Sequence, residues 1–534
     1  MNTTSQEIPT PIDPGKVVTG SNDDMPGECP ALGSSYGRIL KSSTLVGGSQ
    51  AVGLVMGMIR TKALALILGP LGPSAVGLLG IFITLSQLVN SLAGLGIGSS
   101  GIREIAIAHS SGDQERSARV LISMRRILVV VGLAGGLAMA LAAPWLSHLS
   151  FGTADHVLEI RFLGLIVLIN NVSSGQIAIL QGRGMLRELT LSSVCAAIAG
   201  TAISIPIYYF FGIRAVVPSL IVCTALSALM GWWFSRRIHV QRVRQSFRET
   251  WSTSRSMMNL GLAFLVASLL TALTTWVIQT MLAKNFGSDV LGHYAAAFRV
   301  SGFFVAFVLT AMATDFFPRL AAVSGDNAMM TRLINEQIEV GALLSVPALT
   351  GMLCFADWII PAFYSHAFDQ AVPMFRWLVL GCLGRVFSWP LGAVFMAKGE
   401  SGKLILSEII AAAVHLGAVW LGLKWFGPVG ASMAFFAMYL LYFIALYAIL
   451  SRWIQFQFTR ELQVITFLVV IIVASSTSIA TFLPLAGRLV AGGIITIGVS
   501  YLALQRLVTI LGSTSGIAKK IFLIPGVKYC LGIR

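Results

Sequence analysis

Residues 42–100 read SSTLVGGSQAVGLVMGMIRTKALALILGPLGPSAVGLLGIFITLSQLVNSLAGLGIGSS. Two apolar runs, Ser42–Gly69 and Ala75–Ser99, flank the turn Gly69-Pro70-Leu71-Gly72-Pro73. A helix of about 20 apolar residues crosses a bilayer, so each run is long enough to do so. The first run nevertheless carries Arg60 and Lys62. A cation at membrane depth is costly and normally faces a bundle interior or a wet cavity rather than lipid. The stretch therefore reads as a helical hairpin, with Arg60 part of a cavity that receives something negatively charged.

The rest of the chain has the same character. Of 534 residues, 56% are hydrophobic and only 11% charged, and the mean hydropathy is +0.82. Soluble domains are nearer a quarter charged, so this is a polytopic membrane protein. The net charge of +15 would suggest nucleic acid in a soluble chain. Here it reflects basic loops facing an anionic leaflet. Six cysteines show no CxxC or ligand-like spacing, and most lie in apolar runs, where Cys acts as a small hydrophobe. No metal, cofactor or nucleic-acid partner is expected.

At about 20 residues per crossing, the spans fall near 43–67, 75–99, 122–147, 161–181, 189–211, 215–235, 258–283, 292–317, 333–356, 373–397, 403–425, 429–451, 462–484 and 488–510. The loop charges test the count. With the N-terminus cytoplasmic, the inner side holds Arg103 to Arg126, Arg183, Arg187, the dense run Arg236 to Arg255, Lys398, Lys403, Arg452 and Lys519. The outer side holds few cations, an asymmetry that fixes orientation and puts both termini inside. Residues 1–37 read as a disordered cytoplasmic tail, and 511–534 as a basic cytoplasmic tail with an interfacial segment. The loops leave no room for an extramembrane domain, and aromatic residues near helix ends read as an interfacial belt.

The two halves match at an offset of 215. Leu71-Gly72 and Gly77 correspond to Phe286-Gly287 and Gly292, and Phe211-Gly212 to Phe426-Gly427. Arg161 corresponds to Arg376, and Gln181-Gly182-Arg183-Gly184 to Met396-Ala397-Lys398-Gly399. At an offset of 213, Ser111-Gly112-Asp113 with Arg119 matches Ser324-Gly325-Asp326 with Arg332. The interval holds an even number of spans, so the halves share one orientation, with a substrate site expected between them. The expected fold is an all-α polytopic membrane protein of about 14 transmembrane helices. It has two six-helix lobes related by a parallel pseudo-two-fold repeat, plus a C-terminal helix pair. The lobes are 38–235 and 258–451, joined by a basic cytoplasmic linker at 236–257, and the pair occupies 452–510.

Arg60 and Arg299 each lie about eight residues from the outer end of their spans, hence at similar depth. Two cations at one level, one from each lobe, fit a pocket for a divalent anion such as a pyrophosphate, since the planar guanidinium donates paired hydrogen bonds to phosphate oxygens. Arg385, near the middle of its span and ahead of Pro390, joins this set; its repeat counterpart is Asn170. Lys62 lies about 200° around the helix from Arg60, so it shares the pocket only if the helix breaks there and otherwise snorkels. The in-span acids Asp315, Glu339 and Glu408 all sit towards cytoplasmic ends, leaving the midplane without a carboxylate. Glu408 and His415, seven apart, share one helical face and form a candidate proton relay or a local hydrogen-bonding pair.

Arg60-Thr61-Lys62 precedes Leu68-Gly69-Pro70 and Gly77-Leu78-Leu79-Gly80, followed by Gly94-Leu95-Gly96-Ile97-Gly98-Ser99-Ser100-Gly101-Ile102-Arg103. With these residues the N-terminal region resembles an O-antigen flippase. That is the Wzx-type polysaccharide translocase group of the multidrug/oligosaccharidyl-lipid/polysaccharide exporter superfamily. The close match covers about residues 38–120; the helix count, the repeat and the Gln181–Gly184 turn extend it more loosely. The resemblance implies export of an undecaprenyl-pyrophosphate-linked oligosaccharide across the bacterial inner membrane by alternating access through a cationic cavity. By position Arg60 matches the first-helix arginine of the related lipid II flippases, and Arg299 their helix-8 arginine. The implied partners are that lipid-linked glycan and the bilayer, with a polysaccharide polymerase and chain-length proteins beside them. Two other readings compete. A cation-coupled drug exporter of the same fold would need a midplane carboxylate. A membrane polysaccharide polymerase or glycosyltransferase would need acids or histidines in sizeable outer loops, and those loops contain no DxD pair.

Overall fold

The computed structural model describes residues 32–111, 113–236, 238 and 245–511. The tails at 1–31 and 512–534 and most of the basic stretch at 236–244 lie outside these residues. The chain divides into a short unit, Met1–Ser42, and a compact unit, Ser43–Arg534, which holds all the membrane-length apolar helices. Every regular element among the described residues is helical. They are α1 (Leu32–Leu68), α2 (Gly72–Gly94), α3 (Ile97–Ser110), α4 (Gln114–Phe151), α5 (Val157–Gly182), α6 (Leu186–Phe211), α7 (Val216–Ser235), α8 (Phe247–Ala322), α9 (Asn327–Cys354), α10 (Ala356–Phe363), α11 (Ala371–Ala397), α12 (Ser401–Phe426), α13 (Val429–Trp453), α14 (Arg460–Phe482) and α15 (Leu485–Leu511). Among the described residues, eleven apolar stretches are long enough to cross a membrane. Three of them fold back at a turn, which yields the 14 expected crossings.

Two boundaries differ from expectation. The second crossing stops at Gly94, because Leu95 and Gly96 both take left-handed backbone conformations (φ 49° and 68°) and α3 starts afresh at Ile97. The seventh and eighth crossings are two limbs of α8, broken only at Gly287, where φ 88° and ψ 172° suit no other residue. α8 already begins at Phe247, inside the stretch expected as linker.

The repeat is visible in the backbone. Asp113 caps α4 by accepting from Arg116 N, and its mate Asp326 caps α9 by accepting from Ala328 N and Met329 N. α6 and α12 begin and end at matched positions, Leu186 with Ser401 and Phe211 with Phe426. The turn glycines Gly184 and Gly399 have φ 68° and 72°, and Gly212 and Gly427 have φ 57° and 62°. Packing repeats as well: α6 lies on α7 as α12 lies on α13, and α5 on α7 as α11 on α13.

The halves meet along α2 and the second limb of α8, and there residues touch their own repeat mates. Gly77 lies against Gly292, and Ser74 donates to Asp289. Ser74 Oγ is 3.1 Å from Ser288 Oγ. A two-fold axis requires such self-contacts only where it passes, so this seam marks the axis. A Cβ at Gly292 would stand where the Pro73 carbonyl is. Small residues allow this backbone approach, which drives helix association in lipid, where apolar burial does not.

The C-terminal pair is fastened to the second half at both ends. Asp357 of α10 accepts from Arg376 of α11 at 2.7 Å and from Arg488 of α15 at 2.8 Å. At the other end Arg506 donates to Glu339 at 2.9 Å and to Glu461. Glu339 is thus an ion-pair partner. The Asp357 side chain is 26% exposed and its two partners 20% and 21%. Removing it leaves two guanidiniums facing each other. Asp357→Ala is therefore expected to destabilise the protein by about 2–4 kcal/mol, read as a lower melting temperature in detergent.

Candidate functional site

A chamber of about 650 Å³ lies among α1, α2, both limbs of α8, α11, α12 and α13. Arg299 of α8, Arg385 of α11, and Glu408 and His415 of α12 line it. Its remaining polar groups are neutral: Thr84, Gln87, Gln279, threonines of the first limb of α8, and the tyrosines Tyr294, Tyr439 and Tyr442. Neither arginine has an ion-pair partner among the described residues. Arg299 Nη1 donates to Thr61 Oγ1 of α1 at 2.9 Å. That bond places Arg299 at the level of Arg60–Lys62, the depth inferred from the sequence.

Arg60, Thr61 and Lys62 point to three different places, since consecutive helical residues are about 100° apart. Thr61 meets Arg299. Arg60 faces away, into a second pocket of about 250 Å³ shared with Asn170, Cys223 and Ser227. There Nη1 donates to Cys223 Sγ at 2.6 Å, while Nε is buried without a partner among the described residues. The expectation that Arg60 and Arg299 share one pocket is corrected accordingly: they line adjacent spaces that have Ile83 and Gln87 of α2 in common. Lys62 belongs to neither. α1 does not break at Arg60, and Lys62 Nζ donates to the Ala362 carbonyl at 2.6 Å, at the end of α10.

The small pocket is the N-terminal repeat mate of one side of the chamber. Arg60, Asn170, Leu220, Cys223, Thr224 and Ser227 correspond at an offset of 215 to Thr275, Arg385, Phe435, Met438, Tyr439 and Tyr442, all of which line the chamber. Each half thus holds one polar hollow with one arginine at these matched positions. It comes from α1 in the first half and α11 in the second. The Asn170–Arg385 correspondence was the only trace of this legible in the sequence; Cys223, Tyr439 and Tyr442 gave no signal.

Glu408 is the second correction. It enters the chamber with Arg299 and Arg385 and accepts from Tyr442 Oη at 3.3 Å. The chamber therefore holds a carboxylate, although arginines outnumber it two to one. His415 lines the same wall but is not hydrogen-bonded to Glu408; its Nε2 is buried and unpartnered among the described residues. No cluster that could hold a metal ion occurs among the described residues.

A two-lobed helical bundle enclosing a polar chamber is the architecture of a multi-pass membrane transporter. The family described as "Polysaccharide biosynthesis protein" matches residues 64–373, and the chain belongs to it. Among solved structures, the lipid II flippase MurJ in an inward closed conformation superposes with a TM-score of 0.65 at 13% identity, over 87% of this chain and 99% of that one. An inward-facing multidrug resistance MATE family transporter gives 0.61 at 16% identity, over 74% and 94%. These two show the fold. In sequence the chain is 22% identical over 429 residues to the lipid III flippase of Escherichia coli (strain K12), covering 78% of this chain and 99% of that protein. It is 23% identical over 319 residues to the EPS I polysaccharide export inner membrane protein EpsE of Ralstonia nicotianae, covering 58% and 72%.

Proposed function

We propose that this protein flips an undecaprenyl-pyrophosphate-linked oligosaccharide, an O-antigen or similar surface polysaccharide repeat unit, from the inner to the outer leaflet of the bacterial inner membrane. The observation that carries the reading is the pair of guanidiniums, Arg299 and Arg385, that face one chamber between the halves and form no ion pair among the described residues. Two half-buried guanidiniums against one carboxylate leave the chamber with excess positive charge, which favours an arriving anion. A pyrophosphate supplies oxygens for both forks. The neutral amide, hydroxyl and phenol groups around them suit sugar hydroxyls. Arg60, next door across α2, extends the positive region, and the flippase and export relatives fit the same substrate class.

The seam supports alternating access. With the N-terminus cytoplasmic, the Gly77–Gly292 contact, the Ser74–Asp289 bond and the Lys62–Ala362 bond all lie on the outer side of the chamber. The arrangement is then closed outward, and export requires α2 and α8 to part there as the halves rock. Lys62 serves as an outer tie between α1 and α10 rather than as a substrate ligand.

Glu408 supports a second reading, a cation-coupled exporter of small cationic compounds. One panel separates the two. Arg60→Ala and Arg385→Ala, at unchanged protein abundance, should each accumulate lipid-linked glycan in the inner leaflet and lower surface polysaccharide. Glu408→Gln should do so less, because it leaves the cavity more positive. Normal surface polysaccharide in both arginine variants, with loss of drug resistance in Glu408→Gln, would favour the exporter.

A further inference from the structure

At the end of the bundle opposite the seam, the first half holds two arginines that the chamber does not use. Arg125 lies in α4, just ahead of the apolar run beginning at Ile127, and Arg183 caps the C-terminus of α5. α4 packs along α5, and the positive charge of Arg183 acts on Arg125 across that contact. Both residues are partly buried, and both Nε atoms are sealed from solvent without a hydrogen-bond partner among the described residues. Arg183 reaches Ser117 Oγ at 3.4 Å. Among the described residues neither forms an ion pair with a carboxylate.

Loop charge alone does not explain this. Orientation in the membrane needs cations in water, not two partly desolvated guanidiniums. Such groups destabilise the fold unless something compensates them. The second half shows that the fold does without the arrangement. Lys398, the repeat mate of Arg183, is satisfied by the Ser324 carbonyl at 3.1 Å and Asn327 Oδ1 at 2.9 Å. The position matching Arg125 is Ile338, which is fully buried. Arg183 gains from the negative end of the α5 dipole, but that dipole offers an anion nothing. The second guanidinium is what makes the pair a site.

We propose that Arg125 and Arg183 form a phosphate-binding site at headgroup level, separate from the chamber and independent of the export reading. Its ligand is an anionic phosphate group, carried by a phospholipid headgroup or free in solution. Two planar forks would share its oxygens in charge-assisted hydrogen bonds.

The test uses the full chain, delipidated in neutral detergent and titrated with short-chain phosphatidylglycerol, short-chain phosphatidylcholine or inorganic phosphate. Binding is read from the rise in melting temperature. Phosphatidylglycerol or phosphate should protect the unaltered protein. Arg125→Met and Arg183→Met should each weaken that binding about tenfold or more. Arg187→Ala, which removes an exposed charge from the same end, should change it by less than about twofold. Protection by phosphatidylglycerol alone assigns a lipid headgroup; equal protection by phosphate assigns a free anion. Protection by phosphatidylcholine equal to that by phosphatidylglycerol overturns the site, as does a loss in Arg187→Ala matching that of the pair. Without ligand, Arg125→Met should melt no lower than the unaltered protein, because a repulsion has gone. A clear drop would make Arg125 a packing residue and overturn the proposal too.

Discussion

Arg299→Ala is expected to reduce glycan export about a hundredfold or more, the largest loss from any single side chain in the chamber. The figure follows from removing a desolvated partner of a phosphate, which costs roughly 3–5 kcal/mol, against 1.4 kcal/mol per factor of ten. Arg299→Lys should recover only part of this, since an ammonium keeps the charge but loses the two-pronged donor geometry. The measurement is lipid-linked glycan in each leaflet together with surface polysaccharide, normalised to protein abundance. Arg299 also ties α8 to α1 through Thr61, so the variant removes two things at once. Thr61→Val separates them, because it deletes the tie and leaves the guanidinium. If Thr61→Val were as defective as Arg299→Ala, the arginine would act as an interhelical strut and the phosphate role would fall.

The second large effect belongs to the seam. Gly292→Val should prevent α2 and α8 from closing, because its Cβ would stand in the place of the Pro73 carbonyl, a backbone atom that cannot swing aside. Transport should be lost although no charged group has changed. Closure can be read directly by placing cysteines at Ser74 and Ser288, whose hydroxyl oxygens are 3.1 Å apart. These should form a disulfide readily in the parent, within the reach such a bond requires. The yield should collapse when Gly292→Val is added. The disulfide by itself should arrest export, and reduction should restore it. Efficient cross-linking and normal export in the Gly292→Val protein would show that the seam does not need the glycine.

These two predictions rest on different kinds of information. The Gly77–Gly292 pairing was legible in the chain as a repeat, because a parallel two-fold gives equivalent residues equivalent surroundings. Nothing in the linear order said that the mates touch; that needed the axis, which only packing of α2 on α8 reveals. Arg299 was legible as a cation at the depth of Arg60, since rise along a helix is a local quantity. That the two occupy neighbouring hollows was not, because the direction a residue faces depends on what its helix packs against. Glu408 shows the same limit from the other side. Its place near one end of α12 suggested distance from the chamber, but Tyr442 and Arg385 border the same space from α13 and α11.

By itself the sequence determined the crossings, their repeat and the turn glycines. Bilayer thickness and backbone sterics act on a few consecutive residues at a time, so their imprint survives in linear order. Only the tertiary structure decided which cations share a space. It put Arg299 with Arg385 and sent Arg60 next door, tied Lys62 to a backbone carbonyl, and brought a carboxylate among the arginines. The azimuth of a side chain has no meaning until a neighbouring helix supplies the wall it faces.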